Sequence, residues 1–381
     1  MMEKARLYLF IFLNIILSII IVSVIAVYPP PQTVSSIIPI DGIRIRQADW
    51  WRQDCLGVQC GLCPFRCFLP EGSRGRCRVR MNVGGKLRTL VYGQPVSVHI
   101  DPIEKKPVYH MLPGSSIFSI ATVGCNLRCS FCQNWEISQC NPEEAKTAGQ
   151  ILTPEQVVDA AIANNCNSIA YTYSEPVVFY EYVLDIAKLA KQKGLRNVLV
   201  SAGYINRKPL RKLVPYFDVI KIDLKGFNEQ FYKKVVGGDL KEVLATLKEL
   251  HNLGVLTEVV NLVVPSLNDD MQDITRMCKW IYDNMGPDTP LFFSRFTPQY
   301  RLGNLPATPI ETLEKARKIA MDVGLRYVYI GNVPGHPAEN TYCPGCGRML
   351  IHRYGYTILE NNIKNGRCIF CGKKIPGIWE N

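Results

Sequence analysis

From residue 117 to about residue 332, short apolar runs alternate with segments of helical periodicity. No other feature constrains the fold as much. Parallel strands must be joined by crossovers, and the usual crossover is a helix. The pattern predicts strands at 117–123, 168–173, 197–201, 218–224, 255–264, 291–296 and 327–331, with helices in the gaps. Thr153-Pro154-Glu155-Gln156 reads as an N-cap, a first-turn proline and a capping-box glutamine, and Thr308-Pro309-Ile310-Glu311 repeats the logic. Right-handed crossovers then give a parallel sheet. Six or seven units, rather than eight, predict an incomplete barrel whose ligands bind at the C-terminal strand ends.

Those ends carry the chemistry. The first strand runs into Cys125, Cys129 and Cys132, spaced C-x3-C-x2-C, with Phe131 before the third. Thiolates at this density favour iron–sulfur or zinc. Three ligands are too few for a closed structural zinc site, which takes four; they suit a [4Fe–4S] cluster with one iron left open. Later strands end in Tyr171-Thr172-Tyr173-Ser174-Glu175-Pro176, Ser201-Ala202-Gly203-Tyr204, Lys221-Ile222-Asp223-Leu224-Lys225-Gly226, Val264-Pro265-Ser266-Leu267-Asn268-Asp269 and Ser294-Arg295-Phe296-Thr297. An aspartate beside two lysines suits a zwitterionic ligand carrying a ribose, because carboxylates accept from hydroxyls and ammonium groups meet carboxylates. A structural ion pair is the bland alternative for Glu175 and Lys225.

The chain has fifteen cysteines in 381 residues, most of them in three clusters. Its hydrophobic content is 47%, enough for a large core. Short two-residue gaps in so apolar a chain argue for metal binding in a reducing compartment over a disulfide framework. Cys60, Cys63, Cys67 and Cys77 form the first cluster, with Cys55 spare; four thiolates there suit structural zinc or a second iron–sulfur cluster. Arg66, Arg74, Arg76, Arg78 and Arg80 make that stretch basic, as a solvated face or for an anionic partner. Cys343, Cys346, Cys368 and Cys371 form two C-x2-C knuckles, the spacing of a zinc ribbon or a rubredoxin-like site. Zinc would be structural there and iron an electron relay. Residues 352–356, HRYGY, read as the ribbon's hairpin, and the tail 375–379, IPGIW, as a segment packed back on the body. Residues 89–100 read as a hairpin turning at Gly-Gln-Pro, and His110 as a turn or packing residue. The net charge of +11 points to a membrane surface, nucleic acid or an acidic substrate.

Residues 7–28 are 22 residues without a charge, followed by three prolines. That is long enough to cross a bilayer as a helix and longer than the usual signal-peptide core. The expectation is a single-pass membrane protein. Charge placement puts the body outside; an oxygen-sensitive cluster argues for a cytoplasmic body, and the chemistry is given more weight. The expected organisation is an anchor (1–28), a linker with a cysteine-rich module (29–115), a partial barrel (116–335) and a four-cysteine module (336–381).

CGLCPFRC, GRCRVR, DPIEKKP, GCNLRCSFCQNWEIS, TYSEP, IDLKGF, FSRFTPQY, VYIGN, TYCPGCG and IPGIW run from Cys60 to the C-terminus. Together they resemble radical S-adenosylmethionine (SAM) enzymes related to pyruvate formate-lyase activating enzymes, and more closely the radical SAM member of the AmmeMemoRadiSam system. The resemblance implies a partial (β/α)6 TIM-like barrel with the cysteine-rich additions at either end. It implies that Cys125, Cys129 and Cys132 hold a [4Fe–4S] cluster whose open iron takes SAM. Phe131, Val264 and Pro265 would then lie near the adenine, Ser174 and Glu175 at the methionine amino end, and Asp223 and Lys225 at the ribose and carboxylate. The implied reaction is reductive cleavage of SAM to a 5′-deoxyadenosyl radical that abstracts hydrogen from a substrate, possibilities including a protein. The implied partners are a low-potential donor such as ferredoxin or flavodoxin and Memo-like or AMMECR-type proteins. RNA modification or binding, and a non-catalytic metal-binding membrane protein, are the alternatives.

Overall fold

The computed structural model describes residues 46–145 and 151–380. Six short strands come first: β1 (Arg46–Gln47), β2 (Trp51–Asp54), β3 (Gly57–Cys60), β4 (Phe68–Leu69), β5 (Arg80–Val83) and β6 (Lys86–Thr89). They make two small antiparallel sheets, ordered β2-β3-β4 and β1-β6-β5.

The central sheet has eight strands in sequential order: β7 (Ser97–Pro102), β8 (Ser116–Ala121), β9 (Ser168–Tyr171), β10 (Arg196–Ser201), β11 (Val219–Asp223), β12 (Leu256–Val263), β13 (Leu291–Arg295) and β14 (Val328–Gly331). β8 to β14 are parallel, and β7 is antiparallel to β8. All seven parallel strands lie where the apolar runs place them. Ile117–Ala121 and all of β9 are buried, as expected of parallel strands covered on both faces. The arms expected to meet at Gly-Gln-Pro do not form a hairpin. β6 closes a sheet with β5, while β7 borders the barrel, because β8 offers β7 a longer apolar partner.

The helix Pro154–Ala163 starts as its sequence dictates. Thr153 accepts from the Gln156 N–H, and Gln156 Oε1 accepts from the Thr153 N–H at 2.8 Å. The repeat of that pattern at Thr308 is different. Thr308 is buried, accepts from the Phe296 N–H at 2.9 Å and donates to the Val263 carbonyl at 2.6 Å, so it ties strand ends together and does not cap the helix Ile310–Val323.

The expected membrane anchor is corrected. Among the described residues no helix is long and apolar enough to cross a membrane. The longest, Met271–Met285, has 15 residues and carries Asp273, Arg276, Lys279 and Asp283, whereas a span needs about 20 apolar residues. The segment 7–28 lies outside the described residues. The single-pass localisation, the transmembrane helix and the membrane-facing body are withdrawn.

After the barrel come β15 (Thr341–Tyr342), β16 (Met349–Tyr354), β17 (Thr357–Asn361), β18 (Ile363–Lys364) and β19 (Arg367–Cys368). The β16–β17 hairpin turns at Gly355-Tyr356. Cys343, Leu350, Ile351, Cys368 and Ile375 share a buried cluster with Tyr109, Phe292, Tyr327 and Tyr329. The buried Arg353 donates to Thr341 Oγ1 at 2.8 Å and to the Tyr109 carbonyl at 3.1 Å, stacking over the Tyr109 ring. The tail does pack back: the Leu112 N–H donates to the Ile378 carbonyl at 2.7 Å and the Ile378 N–H to the His110 carbonyl at 2.8 Å. His110 is sealed beneath it, against the Pro376 carbonyl at 2.6 Å and Tyr329 Oη at 2.8 Å. Burial pushes its imidazole down to about 4. All the described residues fall in one compact unit.

Candidate active site

The loop 122–134 leaves β8 at the C-terminal edge of the sheet and is held from three sides. The Arg128 and Ser130 N–H groups donate to the Val236 and Val235 carbonyls, both at 2.9 Å. Asn134 Nδ2 donates to the Tyr173 carbonyl at 2.9 Å, joining the loop's end to that of β9. At its start, Gly124 has φ +101°, and a Cβ there would lie 2.6 Å from Val79 and 2.9 Å from the Cys77 carbonyl. Only glycine fits, on both counts.

Cys125, Cys129 and Cys132 line one cavity of about 390 Å³, within the ~300–1,000 Å³ usual for small-molecule sites. Cys125 Sγ accepts from the Leu127 N–H at 3.3 Å, and Cys132 Sγ lies 3.1 Å from Ser138 Oγ. Phe131, Ser174, Glu175, Asp223 and Lys225 line the same cavity. Phe131 is buried and stacks on Phe231, with ring centres 6.1 Å apart. On β12 the wall is Val260 and Leu262. Val264 and Pro265 are buried past the strand's end, where the Val264 N–H donates to Asn268 Oδ1 at 2.6 Å.

Asp223 sits between Lys221 and Lys225, the latter at 2.7 Å. Burial opposes its charge, but the two ammonium groups outweigh burial and hold the carboxyl well below the usual range. Burial likewise opposes the charge on Lys225, and Asp223 followed by the Cys129 thiol outweighs it, raising Lys225. Glu175 is different. Its carboxylate accepts from Ser201 Oγ at 2.7 Å, the Ala202 N–H at 2.9 Å and the Val177 N–H at 3.1 Å. Burial nonetheless raises its pKa. It joins the ends of β9 and β10. Glu175→Ala would strand these donors, each orphan costing about 1–3 kcal/mol. A fall of several kcal/mol in urea-unfolding stability is expected, with Glu175→Gln milder. An unchanged Ala variant would refute this joining role.

Tyr173, Lys221 and Ser294, from strand ends already singled out in the sequence, also face the cavity. Lys105, Lys106, Asn332 and Tyr356 face it too and escaped sequence reasoning. Lys106 Nζ donates to Asp101 Oδ2 at 2.5 Å and to Tyr173 Oη at 3.1 Å. Burial pushes Lys106 down to about 8. Tyr173 also donates to Asp101, and it has φ +63°, an uncommon conformation for a bulky residue. The available signal was DPIEKKP, a charged run leading into an apolar strand. Tyr356 comes from the C-terminal hairpin, and its spacing carried no such signal.

A larger cleft of about 690 Å³ lies on the outer face, among Trp50, Trp51, Arg52, Arg66 and Arg207. It is walled by a single thiol, Cys60, so the smaller cavity is the better candidate for the chemistry.

The donor set fits the expected cofactors. Among the described residues the cavity wall has three thiols and no fourth, and the buried Ser174 Oγ beside them has no partner. The chain matches the radical SAM superfamily over residues 119–281. It is 48% identical over 320 residues to the uncharacterized protein MJ0808 of Methanocaldococcus jannaschii, covering 84% of this chain and 95% of that one. The chain belongs to the radical SAM superfamily. It is a radical SAM enzyme, and its kinship with pyruvate formate-lyase activating enzymes is weak: the Clostridium pasteurianum enzyme is 25% identical over 158 residues, 42% of this chain and 66% of that one. Among solved structures, a radical SAM methyltransferase from Sphaerobacter thermophilus is similar with a TM-score of 0.47 and 14% identity, over 63% of this chain and 71% of that one. No partner follows from these matches. The expected ferredoxin or flavodoxin donor, Memo-like or AMMECR-type proteins and RNA are withdrawn, together with the membrane contact.

The C-terminal cysteines form a second, tighter site. The donor sulfurs of Cys343, Cys346, Cys368 and Cys371 all lie within 4.8 Å of one another. Cys343 and Cys371 are 3.6 Å apart and Cys346 and Cys368 3.8 Å. Tetrahedral zinc–thiolate bonds of about 2.3 Å put sulfurs about 3.8 Å apart. The two knuckles repeat one pattern. Cys343 and Cys368 each donate to the carbonyl five residues on, and Gly347 and Gly372 donate back to those cysteines, all at 2.9 Å. Both glycines have positive φ.

Proposed function

We propose that Cys125, Cys129 and Cys132 are the protein ligands of the [4Fe–4S] cluster, and that SAM occupies the cavity they line. When bound, the reduced cluster supplies cleavage of SAM to methionine and a 5′-deoxyadenosyl radical. The chain's own residues bind, orient and exclude water. Ser174 Oγ, buried and without a partner, offers a hydrogen bond to the amino-acid end of SAM. Asp223 accepts from ribose hydroxyls while Lys221 and Lys225 keep it ionised, and Lys225 faces a carboxylate. Phe131 offers an apolar face to the adenine, with Val260 and Leu262 opposite. Glu175 acts by fixing the strand ends. The observation that carries this reading is one cavity bordered by three thiols and by polar groups from the ends of β8, β9, β10 and β11.

Within the superfamily, the reading extends to the AmmeMemoRadiSam group and to activating-enzyme-like hydrogen abstraction. DPIEKKP supports it, because its Lys106 lines the cavity with Tyr173 of TYSEP, both bonded to its Asp101. The four C-terminal cysteines are read as a structural zinc site on their sulfur spacing.

Anaerobic reconstitution with iron and sulfide, followed by a chemical reductant and SAM, should yield 5′-deoxyadenosine. A reducible cluster that yields none would end this reading.

A further inference from the structure

Cys60, Cys63, Cys67 and Cys77 have no part in the cavity just described. The fold nonetheless gathers them. The Cys60 N–H donates to the Cys67 carbonyl at 2.9 Å, across β3 and the start of β4. Arg66, at φ +44°, closes a turn onto the Cys63 carbonyl at 3.1 Å. Gly75 and Arg80 exchange a backbone bond of 2.8 Å that folds Cys77 inward. The sulfurs of both Cys67 and Cys77 lie within 4 Å of the position a Cβ would take on Gly75. All four cysteines wall one small cavity, together with Arg80, Asn126 and Val177.

Two observations say what the cavity takes. The first is spacing. Among the described residues the C-terminal quartet is the set of donors gathered within 4.8 Å; the N-terminal quartet is wider. A single ion with bonds of about 2.3 Å would draw four sulfurs together and leave no room between them. A [4Fe–4S] core binds each thiolate on a separate iron corner, so it requires this wider arrangement.

The second is Arg80. Its side chain is buried, at 1% exposure, and lines the cavity. Nη2 pairs with Glu181 and with the Asp49 carbonyl at 3.1 Å. Among the described residues, Nε and Nη1 have no partner. Two buried guanidinium nitrogens left open are costly unless an acceptor meets them. The sulfurs of an anionic cluster are such acceptors, and hydrogen bonds to cluster sulfur are a usual means of tuning it.

We propose that Cys60, Cys63, Cys67 and Cys77 bind a second iron–sulfur cluster, of the [4Fe–4S] type, with Arg80 donating to its sulfurs. It would stand directly behind the catalytic loop. Asn126, between Cys125 and Leu127, walls this cavity, while its neighbours wall the other. Arg128 donates to the Arg76 carbonyl, and Gly124 rests on Val79 and the Cys77 carbonyl.

The proposal assumes that the other cluster sits on Cys125, Cys129 and Cys132, and the test separates the two. The full-length Cys125→Ala/Cys129→Ala/Cys132→Ala variant is reconstituted anaerobically with ferrous iron and sulfide and desalted. About four iron and four acid-labile sulfide ions per chain should remain, with a reduced-cluster EPR signal. Adding Cys67→Ser should remove the sulfide, and Arg80→Met should shift the cluster's reduction potential. Sulfide counting excludes iron held as a single ion at the C-terminal knuckles. The wild type gives the same answer without substitution: about eight sulfides for two clusters, about four for one. A triple variant without sulfide, beside a wild type with about four, overturns the proposal alone. A wild type holding no more sulfide than the triple variant overturns the assignment of the catalytic trio.

Discussion

Cys129→Ala abolishes 5′-deoxyadenosine formation, by about a thousandfold or more against the reconstituted wild type. A thousandfold corresponds to about 4 kcal/mol of lost barrier lowering. The figure is a lower bound, because removing one of three thiols removes a ligand on which the cofactor depends. Cys129 is buried, and no other cysteine lines the cavity beyond Cys125 and Cys132, so no thiol stands ready to replace it. Cys140 is the control. It belongs to the same sequence cluster, but its sulfur meets only the Ile137 carbonyl, at 3.6 Å, and it does not face the cavity. Cys140→Ala should retain turnover within a few-fold. Chromatographic quantification of 5′-deoxyadenosine, with iron and sulfide counted on the same samples, separates a lost cluster from a damaged fold. Wild-type turnover in Cys129→Ala, or equal loss in Cys140→Ala, would remove the basis for assigning the trio.

The second large effect is at the other end of the chain. Stripping the metal from Cys343, Cys346, Cys368 and Cys371, or the double change Cys343→Ser/Cys371→Ser, should lower stability by several kcal/mol. Structural zinc contributes about 10–16 kcal/mol to isolated zinc-finger peptides. Less is expected here, because the module also rests on Phe292, Tyr327 and Tyr329 and on the buried Arg353. The metal-free protein should become sensitive to protease between residues 343 and 371 and lose about one zinc per chain. Tyr356, which reaches the cavity lined by Cys125, Cys129 and Cys132 from the β16–β17 turn, would lose its support, so SAM affinity should fall a few-fold. A metal-free chain with the original melting temperature and digestion pattern would show that the quartet is not a structural metal site.

Much of this was legible before the fold was known. Seven parallel strands followed from seven apolar runs. That Cys125, Cys129 and Cys132 share one cavity followed from three thiols within eight residues of one loop, where chain connectivity alone keeps them close. The two C-x2-C knuckles are equally local, each closed by its own glycine. Where the reading failed, the deciding partner was distant. Thr308 has the residues of a cap, yet the strand ends of β12 and β13 compete for its hydroxyl and win. The Gly-Gln-Pro hairpin was locally sound, but β5 and β8 drew its arms into different sheets.

The sequence by itself determined the superfamily, the parallel sheet and the identity of three groups of thiols. These depend on period, spacing and turn residues, all of which act over a few positions. Only the tertiary structure decided what else faces the cavity of the three thiols. It pairs Asp101 with Ile117 across β7 and β8, which brings Lys106 to Tyr173, and it carries Tyr356 to the same cavity from the far end of the chain. It also decided that two sets of four cysteines, alike in composition, differ in width: one brings its four sulfurs within 4.8 Å of one another, while the other leaves a cavity beside an arginine with two open donors among the described residues. Width depends on how β3, β4 and the turn at Gly75 pack against the catalytic loop, and that packing is a sum of long-range contacts that no spacing in the chain encodes.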